Sequence, residues 1–514
     1  MTKIQIEPCC EYTNYSHRYK RVRDIVDGEY ALKAHDLSVM GSTSTFVNSP
    51  NVNGMSFSYL RYINPTDLSA YNRTRNIGFI NGARLLNATA RTLSGLMGMM
   101  FRVDPVEPKL SASMEYLIDN VDGAGLSLDQ QAQSTVWNVL QVGRHGLLAD
   151  MPRNADGKII TRKDVNEGFR ASIQEYTAEN IYDWEETIVG GVKVLTLLVL
   201  HETTSEFADS LRIKREKRSQ IKVYRLTDNA VTVQIFTEDK EAGFIESAEL
   251  PIMSGGGRAL NRIPFRFPGS MNNTPDIDPL PLEPLADVNL GHYQESANLR
   301  SSSYQLSAAQ PVIADDKFQR ATENPRDGNK TLDMGEESTI ILGTGGSFGF
   351  YSPDPNNISS DLMEKDEARM ISVGGQLISN RGQAETAEAA RIKRASEMSV
   401  LESVSVNVSK AYTDLIEICY ELMNVNYDDA EYSLNRDFLD SNLTPQDIDS
   451  LVRTWQAGAI SKPVLDAKLQ SGKVIGSEVD LEEMNELIAL EDPGPDLGPI
   501  VESSRPEAEN DAGI

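Results

Sequence analysis

Apolar positions along this chain change their period twice, and each change marks a different kind of structure. From Leu68 to about Met100, Ile77, Ile80, Leu85, Ala88, Thr92, Leu96 and Met99 recur at helical spacing. Gly78, Gly82, Gly95 and Gly98 interrupt that face, so a break or close packing is expected rather than one straight helix. Tyr59 to Ile63 just before it run into Asn64-Pro65-Thr66-Asp67, a turn and a helix start. A second helix is expected over roughly 129–148, with Val136, Val139, Leu140 and Gly143 on one side. It closes at Ala149-Asp150-Met151-Pro152, where proline blocks continuation.

Between Phe169 and Phe267 the period becomes two, which predicts an antiparallel β section of five or six strands. Lys193 to Leu197 follow a Gly190-Gly191 turn, and Ile221–Leu226 and Val231–Ile235 flank the hairpin signal Thr227-Asp228-Asn229-Ala230. A glycine-rich turn at 254–257 and a proline-rich connector from Pro275 to Pro284 follow. The chain then turns helical again. Leu290, Tyr293, Ala297, Tyr304 and Ala308 form a stripe that Gln310-Pro311 ends. Residues 311–356 hold short apolar runs at Val312-Ile313, 338–342 and 348–351, and a helix then runs from near Ser359 to Gly374-Gly375. The longest helix is expected over 384–424, where Met398, Leu401, Val404, Val408, Ala411, Leu415, Ile418 and Leu422 alternate by threes and fours. At 1.5 Å per residue it would be a rod of about 60 Å.

Three short helices should follow. Thr444 caps the first, with Pro445 at its first position, Asp447 at its third, and Ile448, Leu451, Val452 and Trp455 on one face. Ser461 opens the second and Asp480 the third. From Glu491 on, four prolines and seven acids against one arginine predict a disordered acidic tail.

Composition narrows the class. The 514 residues allow several domains, and a hydrophobic share of 40% is enough to build cores. No stretch approaches the roughly 18 apolar residues of a membrane span, and the first residues lack the apolar core of a signal peptide. Three cysteines and five scattered histidines give neither a disulfide framework nor ligand spacing for zinc. A net charge of −27 argues against tight phosphate binding over the whole surface.

Signatures of catalysis fail one by one. There is no G-x-x-x-x-G-K-[ST] loop. The run Gly343 to Gly349 imitates a dinucleotide loop, but Phe348 stands where the third glycine belongs and no helix follows, so a turn between strands is expected. His201-Glu202-Thr203-Thr204-Ser205 lacks the second histidine of a zincin and reads as a strand end. The pairs Asp315-Asp316 and Asp428-Asp429 are expected in solvated loops. The basic run 212–218 reads as a hairpin surface or a contact with an acidic neighbour, and Arg391, Lys393 and Arg394 oppose the dipole at the start of the long helix. The C-terminal helices carry too few cations for a groove-reading helix-turn-helix. No enzyme activity, cofactor or metal is expected.

The order of parts is more specific than any motif. It runs through a helical and β body, a helix, a compact insert, a helix, a glycine-rich loop, a very long helix and a small helical unit. Several stretches carry a resemblance: Tyr71 to Arg102, Gly143 to Pro152, Glu179 to Trp184, Leu285 to Tyr293, Glu385 to Ala390, and Leu443 to Ser461. Together they cover roughly 15–490 and resemble the portal (head-to-tail connector) proteins of tailed bacteriophages.

That resemblance implies an α+β protomer. Its mixed wing would be residues 1–280, with the β section at about 169–267. Two stem helices would be 284–309 and 358–372, with the clip at 311–356 between them. A tunnel loop would be 373–383, the long wing helix 384–424, the helical crown 430–490, and the tail 491–514. It implies a ring, expected to be a dodecamer, at one capsid vertex of a virion assembled in the host bacterial cytoplasm. Viral double-stranded DNA would be packaged through it by the terminase, retained and ejected. Partners would be head-tail adaptor and tail proteins, the major capsid protein and a scaffold, with no membrane. Channel candidates are Lys365, Arg369, Gly374, Gly375, Gln376, Asn380, Arg381 and Gly382, and clip contacts with terminase or adaptor are Lys317, Arg320, Arg326 and Lys330. The alternatives are another virion component such as a head-tail adaptor, or a metal-dependent nucleic-acid-processing enzyme.

Overall fold

The computed structural model describes residues 6–42, 58–65, 67–151, 170–207, 213–239, 243–307, 310–314, 347–351, 357–374, 387–427, 430–436, 445–457, 459–471, 474 and 484. It is an α+β chain that divides into two compact units, Met1–Arg436 and Asp437–Ile514.

The first unit opens with helices α1 (Cys10–Asp27), α2 (Glu29–Ser42), α3 (Ala70–Gly82) and α4 (Ala88–Met100). The expected break falls after Gly82, but the buried face differs from the apolar stripe. Ile77 is exposed, and α3 instead buries Asn72 and Asn76 with Ile80. Asn72 Nδ2 donates to the carbonyls of Ile63, Asn64 and Asp67, and Asn76 exchanges bonds with both backbone groups of Ile63. An apolar period cannot register a core face built from amides. In α4 the buried side is Thr89, Thr92, Leu93 and Met100 rather than Leu96 and Met99.

After the short α5 (Tyr116–Asp119), α6 (Leu128–Val142) begins with a reciprocal cap in which the Ser127 hydroxyl accepts from the Gln130 amide and Gln130 Oε1 accepts from the Ser127 amide. It ends six residues earlier than the periodicity predicts. Gly143 takes φ 74° and donates to the Val139 carbonyl, and the chain leaves as strand β1 (His145–Asp150). Leu147 and Leu148 are fully buried on a central strand, and a short, wholly buried apolar run looks alike as helix or strand.

The β section forms two sheets. In the first, β1 lies between β2 (Ser172–Thr177) and, further along the chain, β9 (Phe265–Arg266). The second has six strands among the described residues: β3 (Ile181–Val189), β4 (Val192–Phe207), β5 (Arg215–Thr227), β6 (Ala230–Asp239), β7 (Gly243–Glu246) and β8 (Leu250–Pro251). Both expected hairpins form with two positive-φ residues, Gly190-Gly191 and Asp228-Asn229, the geometry that matches strand twist. Val199, Ile221, Val223 and Phe236 make a core on one face, against Ile6, Tyr182, Leu197 and Phe244. His201 is not a strand end. It sits well inside the 16-residue β4, opposite Ile221, with its ring stacked 4.8 Å from Tyr182.

Helix α7 (Glu283–Ser307) is followed by β10 (Gln310–Ala314) and β11 (Ser347–Tyr351), which pair antiparallel, and by α8 (Ile358–Val373). Phe348 and Gly349 therefore lie in a strand. Helix α9 (Ala387–Met423) has 37 residues, about 55 Å. From Leu401 to Leu422 every residue of the expected stripe is 1% exposed or less. Helix α9 packs on α6, β1 and β9, tied by Tyr412 to Thr135 of α6 (2.9 Å) and by Asp414 to Arg266 of β9 (2.9 Å).

In the second unit, α10 (Pro445–Gln456) and α11 (Lys462–Ser471) begin where the proline and Ser461 signals put them. Of the expected third helix only Met484 is described, and it is helical. The pairs Asp315-Asp316 and Asp428-Asp429 and the tail after Glu491 lie outside the described residues.

Candidate functional site

The pair α7/α8 carries two of the eight channel candidates, Lys365 and Arg369, and ends at a third, Gly374. The helices run antiparallel: Leu285 meets Gly374, His292 meets Glu367 (3.3 Å), and Asn298, Ser301 and Ser302 share a groove with Ser359. Ion pairs from α1 hold the start of α7. Glu283, in the first turn, is held by Arg18 on both carboxylate oxygens and by Arg21 at 2.8 Å, while Arg21 also reaches Asp287 at 3.1 Å. The hydrogen bond from Arg18 keeps the Glu283 carboxyl below its ordinary range. Burial outweighs Arg21 at Asp287, whose carboxyl is pushed up.

The inner face of α7 is a polar clasp. Asn289, wholly buried, accepts from the Thr89 amide (3.2 Å) and hydroxyl (3.0 Å) and donates to the Leu86 carbonyl (2.6 Å). It thereby caps a second helix, because the Thr89 amide is one of the unpaired donors in the first turn of α4. The Ser296 hydroxyl accepts from the Arg84 amide at 2.9 Å. These residues were missed from sequence. Their signal was present, as Asn289, His292 and Ser296 fall at spacings of three and four within the buried stripe of α7. Tyr304, expected on that stripe, is 80% exposed, since α7 there has run beyond the 84–89 turn that covers its earlier turns.

Among the predicted channel residues, Lys365 and Arg369 lie one turn apart on the exposed side of α8, with Leu362 and Val373 on the same line. Neither cation makes an ion pair among the described residues. Gly374 ends α8, its amide on the Met370 carbonyl, and is buried where a Cβ would come within 2.8 Å of Leu285 Cδ2 and 3.3 Å of Thr92 Cγ2. Gly375, Gln376, Asn380, Arg381 and Gly382 lie outside the described residues, as do the clip candidates Lys317, Arg320, Arg326 and Lys330. The side chains of Arg391, Lys393 and Arg394 are also outside them.

A second buried centre belongs to the body. Arg144, 3% exposed, lies between the rings of Trp184 (3.7 Å) and Phe267 (4.8 Å), and its Nε and Nη2 have no hydrogen-bond partner among the described residues. Burial lowers its pKa to about 10. The arrangement ties the turn just before β1 to β3, joining two of the stretches that carry the sequence resemblance. Among the described residues there is no cluster of three or more metal-ligating side chains, and no helix is long and apolar enough to cross a membrane.

A family model described as a domain of unknown function (DUF4055) matches residues 281–423, from just before α7 to the last residue of α9. No curated protein matches the chain. Among solved structures, one chain titled "Virion of native gene transfer agent (GTA) particle" is 13% identical with a TM-score of 0.35, covering 74% of this chain and 89% of that one. Another, titled "Neck of empty GTA particle computed with C6 symmetry", is 14% identical with a TM-score of 0.31, covering 72% and 86%.

Proposed function

We propose that the chain is a virion structural protein of the portal type. In this reading a ring of about a dozen copies at one capsid vertex conducts viral double-stranded DNA during packaging by the terminase, retention and ejection. The ring also offers its outer end to head-tail adaptor and tail proteins. The observation that carries the reading is the arrangement from α7 to α9. Two antiparallel helices are separated by an insert whose ends, β10 and β11, pair with each other, and a 37-residue helix then returns to the body. An insert closed at its base by a hairpin suits a clip, and the helices on either side suit a stem.

The charge agrees with a conduit. A dozen copies at −27 carry about −320, which repels a polyanion and keeps each contact brief. Lys365 and Arg369, exposed and without an ion pair among the described residues, supply weak local contacts in the same reading, and Gly374 begins the loop that would face DNA.

Mass photometry with negative-stain imaging of the purified chain tests this. A ring of about twelve with a central hole supports it, and a compact dimer or tetramer without a hole refutes it. The channel assignment has its own test, since Lys365→Glu with Arg369→Glu should lower DNA retention in assembled particles while leaving the ring intact. Unchanged retention would remove both residues from the channel.

A further inference from the structure

Beside the α7/α8 pair lies an open groove of about 580 Å³ lined by the exposed Arg84, Arg300, Ser303 and Glu367 and by Leu86 and Met363, with His292 and Leu299 among the remaining walls. Two guanidiniums line one pocket in a chain of net charge −27, where cations are usually claimed by neighbouring acids. Arg84 gives one nitrogen, Nη1, to Glu29 (3.1 Å) and to the carbonyls of Asn81 and Ala83. Arg300 has no ion-pair partner among the described residues. The single acid of the wall, Glu367, is engaged at 3.3 Å by His292, whose side chain is only 5% exposed. The wall thus combines a guanidinium that makes no ion pair among the described residues, a second that offers its remaining nitrogens, the Ser303 hydroxyl, and an apolar side made by Leu86, Leu299 and Met363.

The geometry points to a binding site for a phosphate group, carried by inorganic phosphate or by a small phosphomonoester. Guanidinium forks match phosphate oxygens in charge and in donor spacing, and a hydroxyl adds a neutral donor. The leucine and methionine side is wasted on a bare ion but accommodates an apolar body attached to it, and the volume is that of ordinary small-molecule pockets. The neighbouring groove, with Arg61 and Arg75, has a similar volume and its own apolar residues, Leu60, Ile63 and Phe79, but no methionine, and its polar share is larger. It serves as the internal control.

Isothermal titration of the full chain in its own assembly state, with inorganic phosphate and with phenyl phosphate as probes, distinguishes the two sources. Saturable binding that Arg300→Ala weakens at least tenfold, with Arg61→Ala unchanged, is the expected result. A fivefold or greater preference for phenyl phosphate that Met363→Glu abolishes assigns the phosphomonoester, and equal affinities assign the free ion. Both Arg300 and Met363 lie at the margin of the fold, and the thermal midpoint of each variant, within two degrees of the parent, shows that the loss is one of binding. No saturable binding of either probe, or equal weakening by Arg61→Ala, overturns the proposal.

Discussion

Replacing Asn289 by Ala should loosen the first turn of α4 before it affects anything else. The side chain makes three hydrogen bonds across to the 86–89 segment, two of them wholly buried. Their losses are unequal. The Thr89 hydroxyl can rotate to another acceptor, and the Leu86 carbonyl lies near the surface. The Thr89 amide, by contrast, has no other partner in the first turn, where Ala90 and Arg91 already use Asn87. A stranded buried donor costs about 1–3 kcal/mol, and with the remaining bonds the total is about 2–4 kcal/mol. That corresponds to amide exchange roughly 30- to 1,000-fold faster at residues 88–91, since each 1.4 kcal/mol is about a factor of ten. Hydrogen exchange read by mass spectrometry on peptides spanning 86–93 and 283–300 measures it directly. Both peptides should lose protection together, because the cap and the helix that supplies it are one unit. If exchange in 88–91 changes by less than about threefold, Asn289 does not hold α4 and the clasp is wrongly drawn.

Three other outcomes follow from single residues. Burial raises the Asp36 carboxyl to about 7, although it accepts from the Tyr59 and Leu60 amides and the Ser58 hydroxyl. A raised folded-state pKa means that the stability present below about pH 4 is lost as pH climbs to 7, by roughly 4 kcal/mol. Urea midpoints from pH 5 to 8 should therefore fall more steeply in the parent than in Asp36→Asn, and parallel slopes would contradict it. Arg144→Met keeps an apolar stem between Trp184 and Phe267 and removes two N–H groups that have no partner among the described residues, so chemical denaturation should show it within about 1 kcal/mol of the parent or better. Arg144→Ala, which also loses the packing, should cost about 2–4 kcal/mol, and equal losses in both variants would show that the charge itself is needed. Gly143→Ala forces a side chain into φ 74° with its Cβ 2.6 Å from the Pro279 carbonyl oxygen, and should lower stability by about 2–4 kcal/mol in the same assay. A change below 1 kcal/mol would mean that the helix-to-strand junction is not rigid there.

The sequence by itself determined the elements whose cause is local. Turn chemistry at Asp228-Asn229 and Gly190-Gly191, the starts of α10 and α11, and the stop of α8 at Gly374 each depend on a few adjacent residues, and all are found where those residues put them. The stripe of α9 from Leu401 to Leu422 was legible too, because a helix buried along that length leaves a long regular record. Tertiary structure decided what one-dimensional pattern cannot carry. Whether 145–150 continues a helix or becomes a strand depends on β2 and β9 standing ready on either side, not on Leu147 and Leu148 themselves. Whether Asn72, Asn76 and Asn289 face solvent or core depends on carbonyls and amides brought to them from elsewhere in the chain. Burying an amide costs free energy unless every polar atom finds a partner, and those partners exist only once the fold has formed. The pocket beside α7 and α8 has the same origin, since Arg84, Arg300 and Met363 are distant in sequence and only the packing of α7, α8 and the 84–86 turn brings them together.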